Sequence, residues 1–431
     1  MPDQPAAKPT KQLYQLLADD TDGRACKDIP DEVCTALPSN YLLLLCSQCC
    51  TALADLLANP KTILTWLLTS LGTPASFIAW LVPLRESGSM LPQLMIGAWV
   101  RRFAKRKAFL VLGSVLQASS LLGMALVALS LEGRQAGVAI LILLACFSLA
   151  RGLNSVAQKD VLGKTVPKGR RGRLTGLATS VSGVITAVIS LWLLQQDSHH
   201  SWFYAGFLLA AALLWFGASA LFSAIREQAG ASDGGVNAMQ AAWQNVRKLK
   251  TDKVLRNFII CRGLLLSSAL VQPFVVLLAQ QQNNGHQTLM LLLLASSVAG
   301  AVSASLWGKA ADRSSKQVLQ LAAVFTLLGC VLPIVYLPAT ENSWFYPLLF
   351  VWLNISHAGV RLGRKTYLVD IATGNQRTEY VALSNSLMGV LLLLVGAIAA
   401  LFAAWSVTAV LCFFALLSLV AIYFTFRLSA T

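Results

Sequence analysis

Charged residues are scarce in this chain, and acidic residues are scarcer still. Aspartate, glutamate, lysine and arginine make up 12% of its 431 residues, whereas a soluble globular domain has about 25%. There are 19 acidic residues and 4 histidines, against 34 lysines and arginines. A water-soluble protein of this length cannot bury so much apolar surface in one core. The composition excludes an ordinary soluble domain and indicates an integral membrane protein.

The sequence also lacks the motifs of zinc, phosphate and disulfide chemistry. Its nine cysteines include no pair of CxxC motifs and six of them lie in apolar runs, which argues against zinc sites and disulfide bonds. Gly163-Lys164-Thr165 resembles the end of a phosphate-binding loop, but Gln158 stands where that motif begins with glycine. We therefore expect no catalytic residue, no resident metal, no cofactor and no enzyme activity.

Three cysteines leave one alternative open. Cys46, Cys49 and Cys50 share a helix face through their i, i+3, i+4 spacing, and thiolates prefer soft metal ions. A soft-metal carrier is therefore one hypothesis. No histidine or methionine cluster accompanies them, and cysteine packs well as a small apolar residue. Packing is the interpretation that we favour.

Long apolar runs dominate the rest of the chain. Hydrophobic residues make up 56% of it, and its mean hydropathy is +0.63. Runs of about 20 apolar residues have the length of a membrane-spanning helix, and these lack the alternation of barrel strands. We predict an all-α membrane protein, with a first span kinked at Pro60. The twelve predicted spans are 41–70, 75–99, 108–130, 136–157, 174–194, 202–224, 256–279, 287–307, 317–337, 343–363, 380–402 and 405–427.

Lysine and arginine are concentrated in alternate loops. The loops 101–107, 158–173, 226–256, 309–316 and 361–379 hold five, six, six, three and four of them, and the loops between hold only Arg134. Positive charge resists translocation, which makes the basic loops and both termini cytoplasmic. This topology accounts for the net charge of +15 without a nucleic-acid partner.

Landmarks recur after about half the chain. Arg151 and Asp160 are followed 210 positions later by Arg361 and Asp370, since 361 − 151 and 370 − 160 are equal. Further pairs are Gly97 with Gly308 and Pro60 with Pro273. A period of this length indicates two parallel repeats. We predict a cytoplasmic tail over 1–39, six-helix halves over 40–224 and 255–428, and a cytoplasmic linker over 225–254.

The charged turn Gly308-x-x-x-Asp312-Arg313-x-x-Lys316 resembles the signature of the major facilitator superfamily of secondary transporters. It stands here as the second-half copy, between predicted spans 8 and 9. The first-half copy departs from it, with Arg101 in the place of the acid and Ala104 in the place of the second glycine. The resemblance implies twelve helices in two halves that rock about a central cavity and give alternating access.

Three charged residues are predicted near the middle of the membrane. Counting roughly 1.5 Å per helical residue, Asp55, Arg85 and Glu86 lie near the midplane of an apolar core about 30 Å thick. Charges there usually mark a pathway or a proton relay. We predict that Asp55 and Glu86 are coupling or substrate carboxylates and that Arg85 is their partner. The alternative is a structural ion pair between spans 1 and 2.

Polar residues at similar depth are predicted to line the same cavity: Asn59, Gln272, Asn354, His357 and Asn385. Hydrogen bonding between helices is the alternative for each of them. A second set is predicted to form cytoplasmic gates that break when the halves separate: Gly97, Arg101, Arg102, Arg151, Asp160, Gly308, Asp312, Arg313, Arg361 and Asp370. Anchoring at the membrane edge by positive charge is the alternative for this set.

These features lead to a secondary active transporter of a small organic solute, coupled to protons, as the first functional hypothesis. The second is a membrane sensor or scaffold on a transporter fold that no longer transports. A soft-metal carrier is the third. We expect a monomer in the lipid bilayer of the plasma membrane, or of the inner membrane in a bacterium.

Overall fold

The structure is a computed structural model that describes residues 8–18, 31–167, 170–194, 201–230, 252–282, 286–336, 344–371 and 376–429. Within these ranges the chain consists of α-helices and short connections, without a strand. The described part of the first half and its N-terminal extension contains α1 (Lys8–Ala18), α2 (Asp31–Leu57), α3 (Ile63–Ser70), α4 (Ala75–Met90), α5 (Gln93–Val100), α6 (Lys107–Ser130), α7 (Gly133–Thr165), α8 (Arg171–Leu193) and α9 (Ser201–Ser223).

The described part of the second half contains eight helices, which continue the numbering. They are α10 (Lys253–Leu264), α11 (Ser267–Leu270), α12 (Gln272–Gln282), α13 (His286–Arg313), α14 (Ser315–Tyr336), α15 (Phe345–Ile371), α16 (Gln376–Trp405) and α17 (Val407–Phe426). Most of the predicted linker 225–254 lies outside the described residues.

Nine helical segments of the described residues are long and apolar enough to cross a membrane. They are Thr35–Leu57, Lys107–Ser130, Gly133–Thr165, Arg171–Leu193, Trp202–Ser223, Lys253–Gln282, Ser315–Tyr336, Leu383–Trp405 and Val407–Phe426. Large apolar side chains on these helices face outward, for example Leu126 (58% exposed) and Leu401 (75% exposed). Such an apolar outer surface is what a lipid environment requires. The protein is therefore an integral, multi-pass membrane protein.

The other three predicted spans are broken, shorter or more charged than these nine. Span 75–99 is divided into α4 and α5, span 287–307 has a shorter apolar stretch at Gln287–Gly300, and span 343–363 lies on α15 with its arginines. Breaks and charges at membrane depth are tolerated where a helix faces other helices or a water-filled space. The number twelve and the orientation of the termini stay predictions.

The kink expected at Pro60 is a full helix break. α2 ends at Leu57 and α3 begins at Ile63, because proline cannot donate the backbone hydrogen bond that would continue the helix. The Asn59 side chain stabilises the turn by accepting a hydrogen bond from the Lys61 backbone N–H at 2.8 Å. The break places Lys61 in a turn, away from the regular surface of α2.

We name the two ends of the helix bundle by their loops. The basic end holds the connections 101–106 and 224–230, which meet where the Gly230 N–H donates to the Ala104 carbonyl at 2.9 Å. The neutral end holds the connections 71–74 and 131–132, where the Gly133 N–H donates to the Leu71 carbonyl at 2.7 Å.

The two halves of the chain are in direct contact along several helix pairs. α3 packs against α12, α4 packs against α16, and α8 packs against α13. The Gln280 side chain donates a hydrogen bond to the Trp66 carbonyl at 3.3 Å, from the second half to the first. At Gly389 the backbone approaches so closely that an added Cβ would lie 2.8 Å from the Leu91 side chain. Small residues allow this kind of close packing between membrane helices.

The N-terminal extension is partly folded against the basic end. Tyr14 of α1 is buried and meets Tyr41 of α2 edge to face, with 5.2 Å between ring centroids. The Ala18 carbonyl accepts a hydrogen bond from Arg170 at 2.6 Å. The apolar contacts of one helix face thus hold α1 on the bundle.

Candidate functional site

Asp55 is the centre of an ion-pair triad inside the bundle. Its carboxylate accepts hydrogen bonds from Arg85 Nη2 at 2.7 Å and from Arg151 Nη1 at 2.5 Å. The three residues lie on α2, α4 and α7, which the triad ties together. Their side chains are exposed by 5% (Arg85), 27% (Asp55) and 36% (Arg151). Solvent therefore reaches the triad from the Arg151 side.

Arg85 is held on its other sides as well. Its guanidinium lies 4.3 Å from the centroid of the Phe147 ring, within the range of a cation–π contact. The Ser148 hydroxyl donates to the Arg85 carbonyl at 2.6 Å. Both of these partners lie on α7, the helix that carries Arg151. The triad has one acid for two bases and keeps a net positive charge.

Arg151 is therefore placed differently from our prediction, which put it in a gate at the basic end. The reason is the length of its helix: α7 runs to Thr165, beyond the predicted end of the span at 157. Fourteen residues separate Arg151 from that end (165 − 151), which is roughly 21 Å of helix. That depth brings Arg151 level with Asp55.

Glu86 and Lys61 lie next to the triad. Both side chains are half-buried, and they attract each other electrostatically. Glu86 also interacts with Arg85 and Arg151 through its charge. Within the described part of the chain, the Glu86 carboxylate makes neither a hydrogen bond nor a close ion pair. It is the acid with the greater freedom of the two.

The second half presents one face of α15 to these groups. His357, Arg361 and Arg364 share that face through their i, i+4, i+7 spacing, and the charges of both arginines act on Lys61 across the space between the halves. His357 Nδ1 lies 3.0 Å from the Ser268 hydroxyl. Arg361 was predicted in a gate. It lies ten residues before the end of α15 at Ile371, which is roughly 15 Å from the basic end.

Arg262 of α10 lies beside this region, between α10 and α16. It is buried, with an exposed fraction of 6%. It donates to the Ser384 hydroxyl and, at 2.9 Å, to the side-chain amide oxygen Oδ1 of Asn385 on α16. Its Nε atom is buried without a hydrogen-bond partner, and its charge interacts with that of Arg364. Asn385, a predicted cavity residue, is thus the hydrogen-bond partner of Arg262.

We call this region the central cleft. It is defined by Asp55, Lys61, Arg85, Glu86 and Arg151 of the first half and by Arg262, His357, Arg361 and Arg364 of the second half.

The remaining predicted cavity residues hold helices together. Gln272 is fully buried and donates to the Ser268 and Leu353 carbonyls. Asn354 donates to the Phe350 carbonyl at 2.8 Å within its own helix. Asn59 stabilises the turn at Pro60, as described above. For these three, the alternative of structural hydrogen bonding describes their contacts.

A second charged network lies at the basic end, formed by the first half and the start of the connection that follows it. Asp160 pairs with Arg106 and, at 2.8 Å, with Lys164, which also reaches Glu227 at 3.0 Å. The Glu227 carboxylate is completely buried and accepts the backbone N–H groups of Arg106 and Lys107 at 2.7 Å each. An acid in this position satisfies the free N–H groups at the start of α6. We expected Asp160 to meet Arg101 and Arg102, but its partners are Arg106 and Lys164.

Glu227→Gln is expected to lower the stability of the protein. It removes a buried negative charge that pairs with the half-buried Lys164 and accepts hydrogen bonds from two backbone N–H groups. The expected loss of stability is about 1–3 kcal/mol. Thermal unfolding of the purified protein in detergent measures this loss as a lower Tm. Glu132→Gln is the matched control, because Glu132 is exposed at the neutral end. Equal Tm values for the two variants would contradict the assignment.

The other predicted gate residues lie at the basic end without joining the halves. Arg101 folds back to donate to the Gly97 carbonyl at 3.0 Å, and Arg102 and Arg313 are exposed. Asp370 accepts from the Ser315 hydroxyl at 2.8 Å, within the second half. Gly308 lies on α13, and the Asp312 side chain is outside what the structure describes.

The sequence matches the family described as "Major Facilitator Superfamily" over residues 44–360 and again over residues 263–430. These two matches together cover most of the chain. The chain belongs to the major facilitator superfamily. No curated protein matches its sequence.

Solved structures of this superfamily's fold resemble the chain at low sequence identity. A D-xylose-proton symporter has a TM-score of 0.68 at 13% identity, covering 90% of this chain and 97% of its own. The xylose transporter XylE from E. coli in an inward open conformation has 0.65 at 12%, covering 90% and 96%. The nucleoside transporter NupG (D323A mutant) has 0.70 at 12%, covering 90% and 98%. At such identity the likeness is one of fold alone.

Sequence reasoning missed four residues that the structure places in the two charged clusters. Arg262 and Arg364 belong to the central cleft, and Arg106 and Glu227 belong to the network at the basic end. A signal for Arg262 was present in the sequence, since an arginine inside the apolar run 256–279 is itself unusual. No sequence pattern joins Glu227 to Lys164, because 63 positions separate them.

The three cysteines on α2 lie on one helix face, and two of them pack against apolar neighbours. Cys46 is exposed, and Cys49 and Cys50 are half-buried in apolar packing. In the described ranges, no three His, Cys, Asp or Glu side chains are grouped so that they could hold a metal ion. The metal-carrier hypothesis finds no support in this geometry.

Proposed function

We propose that this member of the major facilitator superfamily is a secondary active transporter that moves a small organic solute by alternating access, coupled to protons. The observation that carries the proposal is the central cleft. It brings charged groups of both halves together deep in an apolar bundle, where charge costs several kcal/mol unless it is paired or hydrated. Such groups are retained at substrate and proton pathways.

The packing of the halves supports alternating access. The described contacts between the halves include Gln280 with Trp66 at the neutral end, Gly389 with Leu91 near the middle of the bundle, and the packing of α8 against α13. At the basic end, the ion pairs of Asp160 and the hydrogen bond of Asp370 each stay within one half. This arrangement fits a state in which the cleft opens to the basic end, which the positive-inside rule assigns to the cytoplasm.

Proton coupling is proposed to act through Glu86 and not through Asp55. Asp55 is bonded to two guanidinium groups, and such an acid gains little from binding a proton. The groups that face Glu86 are the cations Lys61, Arg85, Arg151 and Arg364, none of which is hydrogen-bonded to its carboxylate. Glu86 is therefore the acid of the central cleft that is not fixed by a bond to a guanidinium group. A D-xylose-proton symporter is among the solved structures with this fold, which is consistent with such coupling.

Glu86→Gln is expected to abolish proton-driven accumulation while leaving solute exchange intact. A thermal-shift screen of metabolites on the purified protein first identifies a solute, because binding to the folded state raises Tm. Proteoliposomes then receive that solute under an imposed pH gradient, and separately at equal pH with solute on both sides. The glutamine keeps the shape of the side chain but carries no exchangeable charge.

Glu132→Gln serves as the control in both assays, because its side chain is exposed at the neutral end. Full pH-driven accumulation by Glu86→Gln would exclude Glu86 as the coupling group. If neither the wild type nor any variant moves any solute in either assay, the transporter proposal itself fails. A sensor or scaffold that binds a partner through residues 225–254 would then be the better hypothesis.

A further inference from the structure

The central cleft has an excess of positive charge. It contains six basic side chains and two acidic ones: Lys61, Arg85, Arg151, Arg262, Arg361 and Arg364 against Asp55 and Glu86. Asp55 neutralises one arginine of the triad, and Glu86 is matched by Lys61. Four positive charges therefore remain around the central cleft without a matching acid.

The excess is largest on the second half. In the described part of the chain, no carboxylate bonds to Arg262, Arg361 or Arg364. Arg262 has only neutral partners, Ser384 and Asn385, and is more than nine-tenths buried with its Nε atom unsatisfied. A guanidinium left with unused donors in the protein interior is a strong site for a carboxylate or phosphate group.

Membrane-edge anchoring does not account for Arg262 and Arg364. A cation that follows the positive-inside rule lies in a loop or reaches the interface with its head group. Arg262 is buried between α10 and α16, and Arg364 is half-buried with its charge acting on Glu86 across the space between the halves. Both therefore point into the protein.

From this imbalance we infer that the transported solute is an organic anion, bound between Lys61 of the first half and Arg361 and Arg364 of the second half, with Arg262 behind them. The inference rests on the proposed function and names its substrate class. A bound anion also gives the two halves a physical reason to close around the solute. Like charges face each other across the halves at Lys61 and Arg361, and at Lys159 and Lys365. Bringing the halves together costs energy that a bound anion offsets.

Matched pairs of probes that differ only in charge test the solute class. Glucose with glucuronate and with glucose 6-phosphate, and uridine with uridine 5′-monophosphate, are added to the purified full-length protein, and Tm is measured. We expect at least one anion to raise Tm by roughly 2–4 °C or more and its neutral counterpart to leave Tm unchanged. The carboxylate and phosphate arms distinguish the two kinds of anionic group. The shift should shrink as salt concentration rises, because ions screen the attraction.

Variants locate the binding site. Arg361→Gln and Arg364→Gln should each weaken the apparent affinity for the stabilising anion about 10-fold, since each loses a charge-assisted hydrogen bond. Arg262→Lys keeps the charge but not the fork of donors and should weaken it less than Arg262→Gln. Arg134→Gln, an exposed arginine at the neutral end, should leave the affinity unchanged.

Three outcomes would overturn the inference. One is that a neutral or cationic probe raises Tm and is taken up by proteoliposomes while its anionic counterpart is not. In that case transport stands and only the solute class is wrong. Another is that no anion of the panel raises Tm above its neutral counterpart. The third is that Arg134→Gln weakens the affinity as much as Arg361→Gln does, which would mean general surface attraction and no defined site.

Discussion

Asp55→Asn is expected to lower the free energy of unfolding by about 3 kcal/mol, at the lower end of the range for breaking a buried ion pair, and to abolish transport. The substitution leaves Arg85, which is only 5% exposed, without a charged partner. Arg151 is 36% exposed and can be hydrated instead, which limits the total cost. Thermal unfolding in detergent measures the stability, and solute flux in proteoliposomes measures the transport.

A second variant separates stability from function. Asp55→Asn combined with Arg85→Met removes the uncompensated charge and should recover most of the lost Tm, because replacing a buried pair by apolar groups is often neutral. Transport should stay absent, since the net charge and geometry of the triad are lost. Glu132→Gln is the control for a carboxylate-to-amide change at an exposed site. Wild-type Tm for Asp55→Asn alone would show that the triad is not a structural centre.

Gly396→Val is expected to reduce transport by roughly 5- to 100-fold, by forcing the halves apart towards the neutral end. A Cβ at Gly396 would lie 2.8 Å from the Pro83 Cβ and closer still to the Pro83 Cγ. Overpacking of this kind costs about 1–3 kcal/mol, and about 1.4 kcal/mol changes an equilibrium tenfold. The state in which α4 and α16 are packed together should therefore lose population.

Accessibility of the neutral end is the direct measurement. In a background without the native cysteines, Gln280→Cys should react faster with a membrane-impermeant maleimide when Gly396→Val is present, because Gln280 lies at the contact between the halves. Gly217→Val is the matched control, as no heavy atom lies within 4 Å of a Cβ at that position. Equal labelling rates in the two variants would mean that this contact does not gate the neutral end.

The sequence by itself determined the class of protein and much of its organisation. Few charges and long apolar runs require a membrane, because water cannot solvate such a surface. The charged turn at Gly308 and the repeat of Arg151 and Asp160 at Arg361 and Asp370 pointed to the major facilitator superfamily, which the family match confirms. Asp55, Arg85 and Glu86 could be selected as candidates from the sequence alone. A charge inside an apolar run is easily recognised there, and burying it in the membrane costs free energy.

Only the tertiary structure decided which charges meet. Arg151 pairs with Asp55, 96 positions away, and Asp160 pairs with Arg106, 54 positions away. These pairings depend on how far α7 extends past the apolar run and on where proline breaks α2, and hydropathy does not report either one. The excess of positive charge in the central cleft is likewise a property of the assembled halves. Each arginine is one charge in its own segment, and the imbalance exists only because packing brings them to one space without acids to match.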